Sequence, residues 1–355
     1  MVFRANEVGS VIDGCHKEAN KMGVVRSGFS KWLLLVTLFI MTGCAPTLNI
    51  IVGFAPGGAF DFYSRAIARH MGKHVSSNPT IQVYNMTGDA SLIAANYFYK
   101  RVKPDGLTIG TFHGRLIMQQ LLRGPGIEFD ARRFEYIGVP AKDNVVCALT
   151  KSSGITSIEK WVASRTPVRL GGVGAPGIST DDVPKILKAT IGLPIELVSG
   201  YKGTTAIRQA AEKGEVAGGC WAWESIRATW REALESGQVN IVLQGVPKPL
   251  PELPNVPLAI NFAKTEEARN LIQRGIHDKN AITRLYVLPP GTPKEQEQIL
   301  RRAFMDTMKD PEFLAEVKKL KLDIDPLSGE EVESIVAGLF KLDAAVVAKL
   351  KDILK

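Results

Sequence analysis

Short apolar runs rich in β-branched residues alternate with amphipathic stretches along the chain from residue 48 onward. The first run, LNIIVGF at 48–54, ends in a Pro-Gly-Gly sequence, which is typical of a buried parallel strand followed by a tight turn. Residues 61–71 then have apolar positions at helical spacing. The same patterns predict further strands near 80–85, 107–112, 134–139, 144–150, 168–172, 194–198, 216–220 and 282–288, and further helices near 91–101, 115–122, 180–190, 203–213, 294–308, 311–320 and 329–353. This alternation predicts an α/β fold with a parallel or mixed sheet covered by helices.

A stretch rich in proline and glycine, GVPKPLPELPNVP at 245–257, is typical of a surface connection between domains. The chain of 355 residues has a length that suits one large or two linked domains. We therefore predict two α/β lobes, with the chain crossing between them at least twice. We assign residues 48–148 and 250–355 to lobe 1 and residues 149–249 to lobe 2.

The first 43 residues carry the pattern of an export signal. An apolar run at 32–43, WLLLVTLFIMTG, follows Arg26 and Lys31 and is short for a transmembrane helix. Residues 1–21 are polar, so Met22 is a better candidate for the start of the signal than Met1. We predict that residues 1–43 are a signal peptide that does not take part in the fold.

The residues just before Cys44 resemble a bacterial lipobox, in which the cysteine receives lipid and becomes the new amino terminus. The small residues Thr42 and Gly43 fit this pattern better than Met41 does. We predict a lipid anchor at Cys44 that holds the protein at the membrane surface of the cell envelope. The alternative is ordinary signal cleavage next to an incidental cysteine.

The composition argues against several classes of function. The chain has 44 basic and 36 acidic residues, a net charge of +8, but no Lys/Arg stripe interleaved with aromatic residues of the kind that binds nucleic acid. The four cysteines form no CxxC pair, and the HExxH and GxSxG motifs are absent. We therefore predict no metal site, no cofactor and no catalytic residue. Cys147 and Cys220 fall on predicted strands, and whether they pair is left open.

The turn after the first strand is the first candidate for ligand binding. A glycine pair between a strand and a helix lets backbone amides approach an anion at the positive end of the helix. The alternative is a tight turn that binds no ligand. The candidate residues are Phe54, Ala55, Pro56, Gly57, Gly58, Ala59, Phe60 and Asp61.

The second candidate is the sequence GVGAPG at 172–177, which has the GxGxxG spacing of a dinucleotide-binding turn. Pro176 stiffens this turn, and Asp181 and Asp182 put negative charge where a pyrophosphate would lie. We therefore favour a turn that offers helix-start amides and hydroxyls to one carboxylate. The residues that would do so are Gly177, Ser179 and Thr180.

Four further residues are candidates with weaker signals. Lys202 is a possible counter-ion for an anion, although a solvated lysine is the commoner case. Trp221 and Trp223 are spaced by two, so on a strand they would share one face and form either a pocket wall or part of the core. His113 follows a predicted strand and is a possible donor to a ligand.

Five segments resemble one known family, in order along the chain. They are IIVGFAPGGAFDFYSRAIARHM, KPDGLTIGTFHG, GYKGTTAIRQAAEKGEVAGG, LPELPNVP and VLPPGTPKEQEQILRRAFMDTMKDPEF. Together they are similar to the receptors of tripartite tricarboxylate transporters, over residues 48–355. The resemblance implies a type II periplasmic binding-protein fold with two lobes that close over a carboxylated metabolite, and membrane subunits of the transporter as partners.

The resemblance also implies positions for the ligand. One carboxylate would lie at residues 55–60, next to Asp61, and the other end of the ligand at Gly177, Ser179 and Thr180. Family members often have a histidine shortly after that serine, whereas this chain has Asp181-Asp182-Val183. Together with the stretch Trp221-Ala222-Trp223-Glu224, this departure indicates a divergent branch with a different ligand, and whether that ligand is a dicarboxylate is left open. An exported enzyme and an envelope sensory module on the same fold are the alternatives.

Overall fold

The computed structural model describes residues 47–355, which form two sheets covered by helices. The strands are β1 (Thr47–Val52), β2 (Thr80–Asn85), β3 (Thr108–His113), β4 (Glu135–Val139), β5 (Val145–Thr150), β6 (Val168–Gly171), β7 (Ile195–Val198), β8 (Gly218–Ala222), β9 (Val239–Gln244), β10 (Arg284–Leu288) and β11 (Leu327–Ser328).

The α-helices are α1 (Ala59–Met71), α2 (Leu92–Arg101), α3 (Arg115–Leu121), α4 (Ile158–Val162), α5 (Ser179–Ile191), α6 (Thr204–Glu212), α7 (Trp223–Thr229), α8 (Arg231–Glu235), α9 (Glu266–Ile272), α10 (Lys279–Ala281), α11 (Lys294–Thr307), α12 (Pro311–Lys319), α13 (Gly329–Phe340) and α14 (Ala344–Leu354). A π-helical turn, Gln273–Asp278, joins α9 to α10. Short 3-10 helices lie at Gly72–His74, Asp89–Ser91, Ala131–Arg133, Lys151–Ser153 and Ala259–Phe262.

Lobe 1 is built on a mixed sheet with the strand order β11-β4-β10-β3-β1-β2. The strands β1, β2 and β3 run parallel, while β10 pairs antiparallel with both β3 and β4. β1 is almost continuously apolar because helices cover both faces of the sheet. The turns after β1, β2 and β3 therefore meet at one edge of this sheet, where ligands of open α/β folds bind.

Lobe 2 is built on the sheet β7-β6-β8-β5-β9. Here β5 pairs antiparallel with β8, and Cys147 lies directly opposite Cys220. These two cysteines form a disulfide across the strand pair, with 4.1 Å between their Cα atoms. The pairing that the sequence left open is therefore present.

The boundary between the lobes differs from the predicted one. β5 begins at Val145 and already belongs to the sheet of lobe 2. The segment 259–276 and the end of α14 also pack into the core of lobe 2, through Ala259, Ile276 and Leu354. Lobe 1 thus comprises residues 47–141 and 284–340, and the chain crosses between the lobes three times. The proline-rich stretch is a surface connection within lobe 2.

Other elements also differ from the sequence prediction. The predicted helix 329–353 is two helices, because the chain turns at Lys341 and Leu342 and restarts at Asp343, whose carboxylate caps α14. The strand β9 was not predicted, although its sequence VNIVLQ is apolar and β-branched. It lies at the edge of its sheet, beside β5.

The predicted signal peptide 1–43 and the predicted lipid site Cys44 lie outside the described residues. Between residues 47 and 355, no helix is both long and apolar enough to cross a bilayer.

Candidate functional site

A cavity of about 170 Å³ lies between the two lobes. Five of the predicted site residues line it, namely His113, Gly177, Ser179, Thr180 and Trp221. Six further residues, which were not among the predicted site residues, also line it, namely Asp143, Ile178, Thr204, Ala222, Ser225 and Thr283. Asp143 and Thr283 come from the first two crossovers, so both lobes and the chain between them contribute to the cavity. Its size suits a metabolite smaller than a drug-sized molecule.

The first turn lies next to the cavity and not among the residues that line it. Residues 55–59 are exposed. The ring of Phe60 stacks on Phe54 with 4.3 Å between centroids, and lies 5.9 Å from the ring of His113. Phe60 therefore connects this turn to the cavity wall.

Asp61 holds the first turn in shape. Its carboxylate accepts hydrogen bonds from the Gly57 amide, from Nε of Arg65 and from Nδ2 of Asn85, each at 2.9 Å at its shortest. Burial alone would raise the pKa of Asp61, but the hydrogen bonds from Arg65, Gly57 and Asn85 bring that pKa below its ordinary value. The carboxylate is therefore ionised and already occupies one of the amides proposed for a ligand.

The second turn is likewise occupied by a carboxylate of the protein. Asp181 accepts hydrogen bonds of 2.9 Å from the amides of Val173 and Gly174 and from the hydroxyls of Ser199 and Thr180. These amides are the ones that a pyrophosphate would need at a dinucleotide-binding turn. The GxGxxG spacing here thus serves an internal turn that is capped by Asp181.

Asp182 and Asn280 engage the rest of this turn. The amide of Gly177 donates to Asp182 Oδ1 at 3.3 Å, and Asp182 Oδ2 lies 2.7 Å from Nζ of Lys279. The hydroxyl of Ser179 donates to Asn280 Oδ1 at 2.8 Å. The Gly177 amide and the hydroxyls of Ser179 and Thr180, which were predicted to hold a ligand carboxylate, are therefore bonded to the protein itself.

His113 is a neutral donor at the cavity. Burial lowers its pKa to about 3, so the imidazole is uncharged at neutral pH. Its Nδ1 accepts the amide hydrogen of Arg115 at 3.1 Å, which assigns the ring hydrogen to Nε2. Nε2–H is then the ring's hydrogen-bond donor.

The two tryptophans have different surroundings. Trp221 is 3% exposed and stacks on Trp230 with 5.6 Å between centroids. Its indole Nε1 is buried and has no hydrogen-bond partner among residues 47–355. Trp223 donates its indole hydrogen to Glu252 and lines a different surface. The expectation of one shared face fails because β8 ends at Ala222, so the strand alternation does not extend to Trp223.

The predicted counter-ion Lys202 is exposed in the loop before α6 and does not line the cavity.

A groove of about 950 Å³ runs between the lobes beside the cavity. Helices α7 and α8 form one wall, and α12 with the following loop to Ile324 forms the other. Arg227 of lobe 2 crosses the groove to Asp323 of lobe 1 at 2.8 Å and also pairs with Glu252. Elsewhere, Nη1 of Arg115 in lobe 1 donates to the carbonyl of Pro176 in lobe 2 at 2.9 Å. These bonds join the two lobes to each other.

A group of charged side chains lies where the cavity and the groove approach one another. Nη1 of Arg284 is 2.6 Å from Oδ1 of Asp143, and its guanidinium lies 5.5 Å from the ring centroid of Tyr63. The Tyr63 hydroxyl donates to the carbonyl of Asp323 at 2.7 Å. Glu224 completes the group, and its Oε2 is buried without a partner among residues 47–355. Burial, followed by the charge of Asp143, raises the pKa of Glu224 to about 7.

A strained segment supports His113 from behind. Asp89, Ala90 and Ser91 have φ values of 43°, 46° and 78°, which non-glycine residues rarely adopt. The buried Ser91 hydroxyl accepts the amide hydrogen of His113 at 3.0 Å. The Cβ of Ser91 also packs against Gly53, since a Cβ added at Gly53 would lie 2.4 Å from it. Such strain often marks functional sites.

Two groups of carboxylate and histidine side chains have a spacing that suits a metal ion, one at His70, Asp310 and Glu312 and the other at Glu135, Glu297 and Glu333. In the first group, Nζ of Lys73 lies 2.7 Å from Asp310 and 2.6 Å from Glu312. In the second, Lys294 and Arg301 pair with the glutamates. Cations of the protein thus neutralise both groups, which tie helices of lobe 1 together.

No protein-family model matches the sequence, and no curated protein has significant similarity to it. Several solved structures are similar. A TctC solute binding protein from Polaromonas, without ligand, superposes with a TM-score of 0.68 at 17% identity, over 86% of this chain and 97% of that chain. A Rhodopseudomonas palustris protein with adipate superposes with a TM-score of 0.59 at 22% identity, over 86% of this chain and 97% of that chain. MatC from the same organism, with bound malate, superposes with a TM-score of 0.55 at 18% identity, over 87% of this chain and 99% of that chain.

These similarities identify the fold. The chain has the two-lobe, type II fold of periplasmic solute-binding proteins, as the sequence predicted. The similarity spans nearly the whole of the described chain and nearly the whole of each of these three structures.

Proposed function

We propose that this protein is an exported solute-binding receptor of the tripartite tricarboxylate transporter type. It captures a small carboxylated metabolite between its lobes and delivers it to the membrane subunits of a transporter, without chemistry of its own. The relatives of the same fold include proteins solved with malate and with adipate, both small organic acids.

This proposal rests on the cavity between the lobes, which contains hydrogen-bond donors that have no acceptor in the described part of the protein. The buried indole N–H of Trp221 has no partner among residues 47–355, and His113 offers a neutral Nε2–H. Thr204 and Ser225 add hydroxyls to the lining, whereas the hydroxyl of Thr283 donates to the carbonyl of Asn280. A buried donor without a partner is costly, so a ligand oxygen at this place would stabilise the closed form.

The proposed location outside the cytoplasm rests on two features. Residues 32–43 have the pattern of a signal peptide, and Cys44 lies where a lipidated cysteine would. The disulfide between Cys147 and Cys220 is typical of proteins in an oxidising compartment such as the periplasm. A lipid at Cys44 would leave only two residues between the anchor and the start of β1, which would keep lobe 1 close to the membrane.

A thermal-shift screen of residues 45–355 tests the proposal. The panel would contain mono-, di- and tricarboxylates, amino acids and neutral metabolites. A ligand at 100 times its dissociation constant adds about 2.7 kcal/mol of stability, a shift of several degrees. We expect clear shifts with at least one organic acid, and no consumption of that acid on prolonged incubation. A folded, ligand-free protein that responds to no carboxylate would contradict the proposal.

Variants test whether the first turn takes part. Ala55→Trp and Gly58→Val would fill the space beside this turn, and both positions are exposed. We expect both variants to fold and to lose affinity, whereas Val162→Trp on the exposed face of α4 should bind as the wild type does. Unchanged affinity in the first two variants would remove this turn from the site.

A further inference from the structure

The charged groups around the cleft between the lobes are unevenly matched. The cations closest to the cavity have protein partners: Arg284 binds Asp143, Arg227 binds Asp323 and Glu252, Lys279 binds Asp182, and Arg115 binds the carbonyl of Pro176. The exposed Lys318 and Lys321 line the opposite wall of the groove. Glu224 has no such partner. Its Oε2 is buried without a hydrogen bond among the described residues, and the charge of Arg284, which is bound to Asp143, acts on Glu224 without forming an ion pair. A buried carboxylate oxygen without a partner is unfavourable, so a cationic or hydrogen-bond-donating group beside Glu224 would stabilise this side chain.

Two carboxylates of the protein already bind amides of the second glycine turn, residues 172–177. Asp181 accepts hydrogen bonds from the amides of Val173 and Gly174, and Asp182 accepts one from the amide of Gly177. These three amides are therefore not free for a second anion. A dicarboxylate that spanned the cleft would bring its far carboxylate towards these aspartates and towards Glu224, where like charges repel.

We infer that the ligand is an aminocarboxylate, with one carboxylate and one cationic amino group, and that Glu224 binds the amino group. The inference rests on the proposed receptor function and narrows its ligand class. The ammonium supplies the donor that Glu224 Oε2 lacks. The carboxylate of the ligand takes the donors of the cavity, among them the indole of Trp221.

The local geometry supports this division of roles. The turn from β8 into α7 contributes to both the cavity and the groove. Ala222 and Ser225 line the cavity, and Trp223 and Glu224 line the groove. Glu224 is close enough to Asp143, which lines the cavity, for their charges to interact. A short molecule with opposite charges at its ends would therefore meet donors at one end and Glu224 at the other.

Matched pairs of probes test the inference by calorimetric titration. β-Alanine is compared with succinate, and 4-aminobutanoate with glutarate, because each pair exchanges an ammonium for a carboxylate on the same carbon chain. The twenty common α-amino acids are screened beside their amine-free analogues. We expect binding by aminocarboxylates and binding at least tenfold weaker by the matched dicarboxylates.

The variant Glu224→Gln removes the charge and keeps the shape of the side chain. We expect it to weaken binding of the aminocarboxylate by roughly 10- to 100-fold, since a hydrogen bond to a charged group is lost. The matched control is Glu232→Gln, an exposed glutamate on the neighbouring helix α8, which should bind as the wild type does. Equal affinity in Glu224→Gln and the wild type would overturn the inference.

A pH titration of the unmodified protein gives a second test that requires no variant. The charged groups that face Glu224 are Asp143, Arg284 and Asp323, and Tyr63 lies among them. His113 is neutral over the range. Protonation of Glu224 on going from pH 8 to pH 5.5 should weaken aminocarboxylate binding, and an affinity that does not fall would overturn the inference.

The outcomes separate the two proposals. Preference for a di- or tricarboxylate, or equal binding of amine-free acids, would overturn the aminocarboxylate inference and leave the receptor function standing. Absence of binding by every acid and amino acid would contradict the receptor function, and the inference with it.

Discussion

The ammonium of Lys279 and the carboxylate of Asp182 form an ion pair, with 2.7 Å between Nζ and Oδ2 and with only 3% and 1% of the two side chains exposed. The pair joins α5 of lobe 2 to α10, directly before the second crossover. Asp182 also accepts the amide hydrogen of Gly177. The ion pair therefore fixes the turn that borders the cavity.

Lys279→Met should destabilise the protein by about 3–5 kcal/mol, because it leaves the carboxylate of Asp182 buried without its partner. The comparison is Lys349→Met, which breaks the exposed pair between Lys349 and Glu267 and should cost about 0–1 kcal/mol. Urea denaturation of the variants measures both. Similar losses in the two variants would contradict the assigned role of the buried pair.

Removal of the disulfide with Cys147→Ser and Cys220→Ser should lower the free energy of unfolding. The bond closes a loop with a sequence separation of 73 residues, and a loop of this length corresponds to about 4 kcal/mol in the chain-entropy model. The measurement is denaturation of the double variant beside the wild type, with and without reductant. Reductant should destabilise only the wild type, and an equal response of both proteins would show that the bond does not form.

Gly53→Ala should disturb the support of His113. The new Cβ would lie 2.4 Å from the Cβ of Ser91, so Ser91 must move and its bond to the His113 amide is strained. We expect a loss of about 1–3 kcal/mol in stability, together with weaker ligand binding. Gly58→Ala is the stability control, because the nearest atom to its Cβ is 3.8 Å away. A melting temperature of Gly53→Ala equal to that of Gly58→Ala would contradict the close approach.

Glu224 should make the ligand-free protein less stable as the pH rises. Burial and the charge of Asp143 raise its pKa from 4.5 to about 7 in the folded state. Between these two values the folded state holds a proton that the unfolded state has lost, so the stability falls with increasing pH across that window. Melting temperatures at pH 5 and pH 8 measure this effect. The wild type should lose more stability over the interval than Glu224→Gln, and Glu232→Gln should follow the wild type.

Arg227→Ala should shift the lobes towards an open arrangement. Arg227 of lobe 2 is bonded to Asp323 of lobe 1, and exposed ion pairs of this kind contribute about 0.2–1 kcal/mol. The expected effect is a modest increase in the radius of gyration in small-angle X-ray scattering, which a bound ligand reverses. Arg231→Ala, which removes a pair within α8, should leave the radius unchanged.

The sequence predicted most strands, the two α/β lobes and the residues of the cavity that follow strands or begin helices. His113, Ser179 and Trp221 could be recognised because positions at strand ends and helix starts lie at the edges of the two sheets that face the cavity. Asp143 and Glu224 could not, because their importance comes from burial and from neighbours distant in the chain. No local pattern indicates that a glutamate in the first turn of a helix lacks a partner.

The second glycine turn shows a different limit. The sequence indicated that Asp181 and Asp182 disfavour an anion, but not that their carboxylates fold back onto the amides of the same turn. Likewise, the apolar spacing of 329–353 continues through Lys341, and only the position of lobe 2 shows why the chain must turn there. The amphipathic pattern indicates which face of a helix is buried, but not which lobe buries it.

The three crossovers between the lobes restrict how lobe 2 can move. A single connecting strand would let one lobe swivel about it, and two would still allow a shearing slide. Three connections near Asp143, Thr283 and Leu342 resist torsion and favour bending about one axis. On the proposed function, the cleft would open and close along one path, and Arg115 would meet the carbonyl of Pro176 in the same alignment at each closure. The proposed membrane partner, if it contacts both lobes, would then recognise one angle between them.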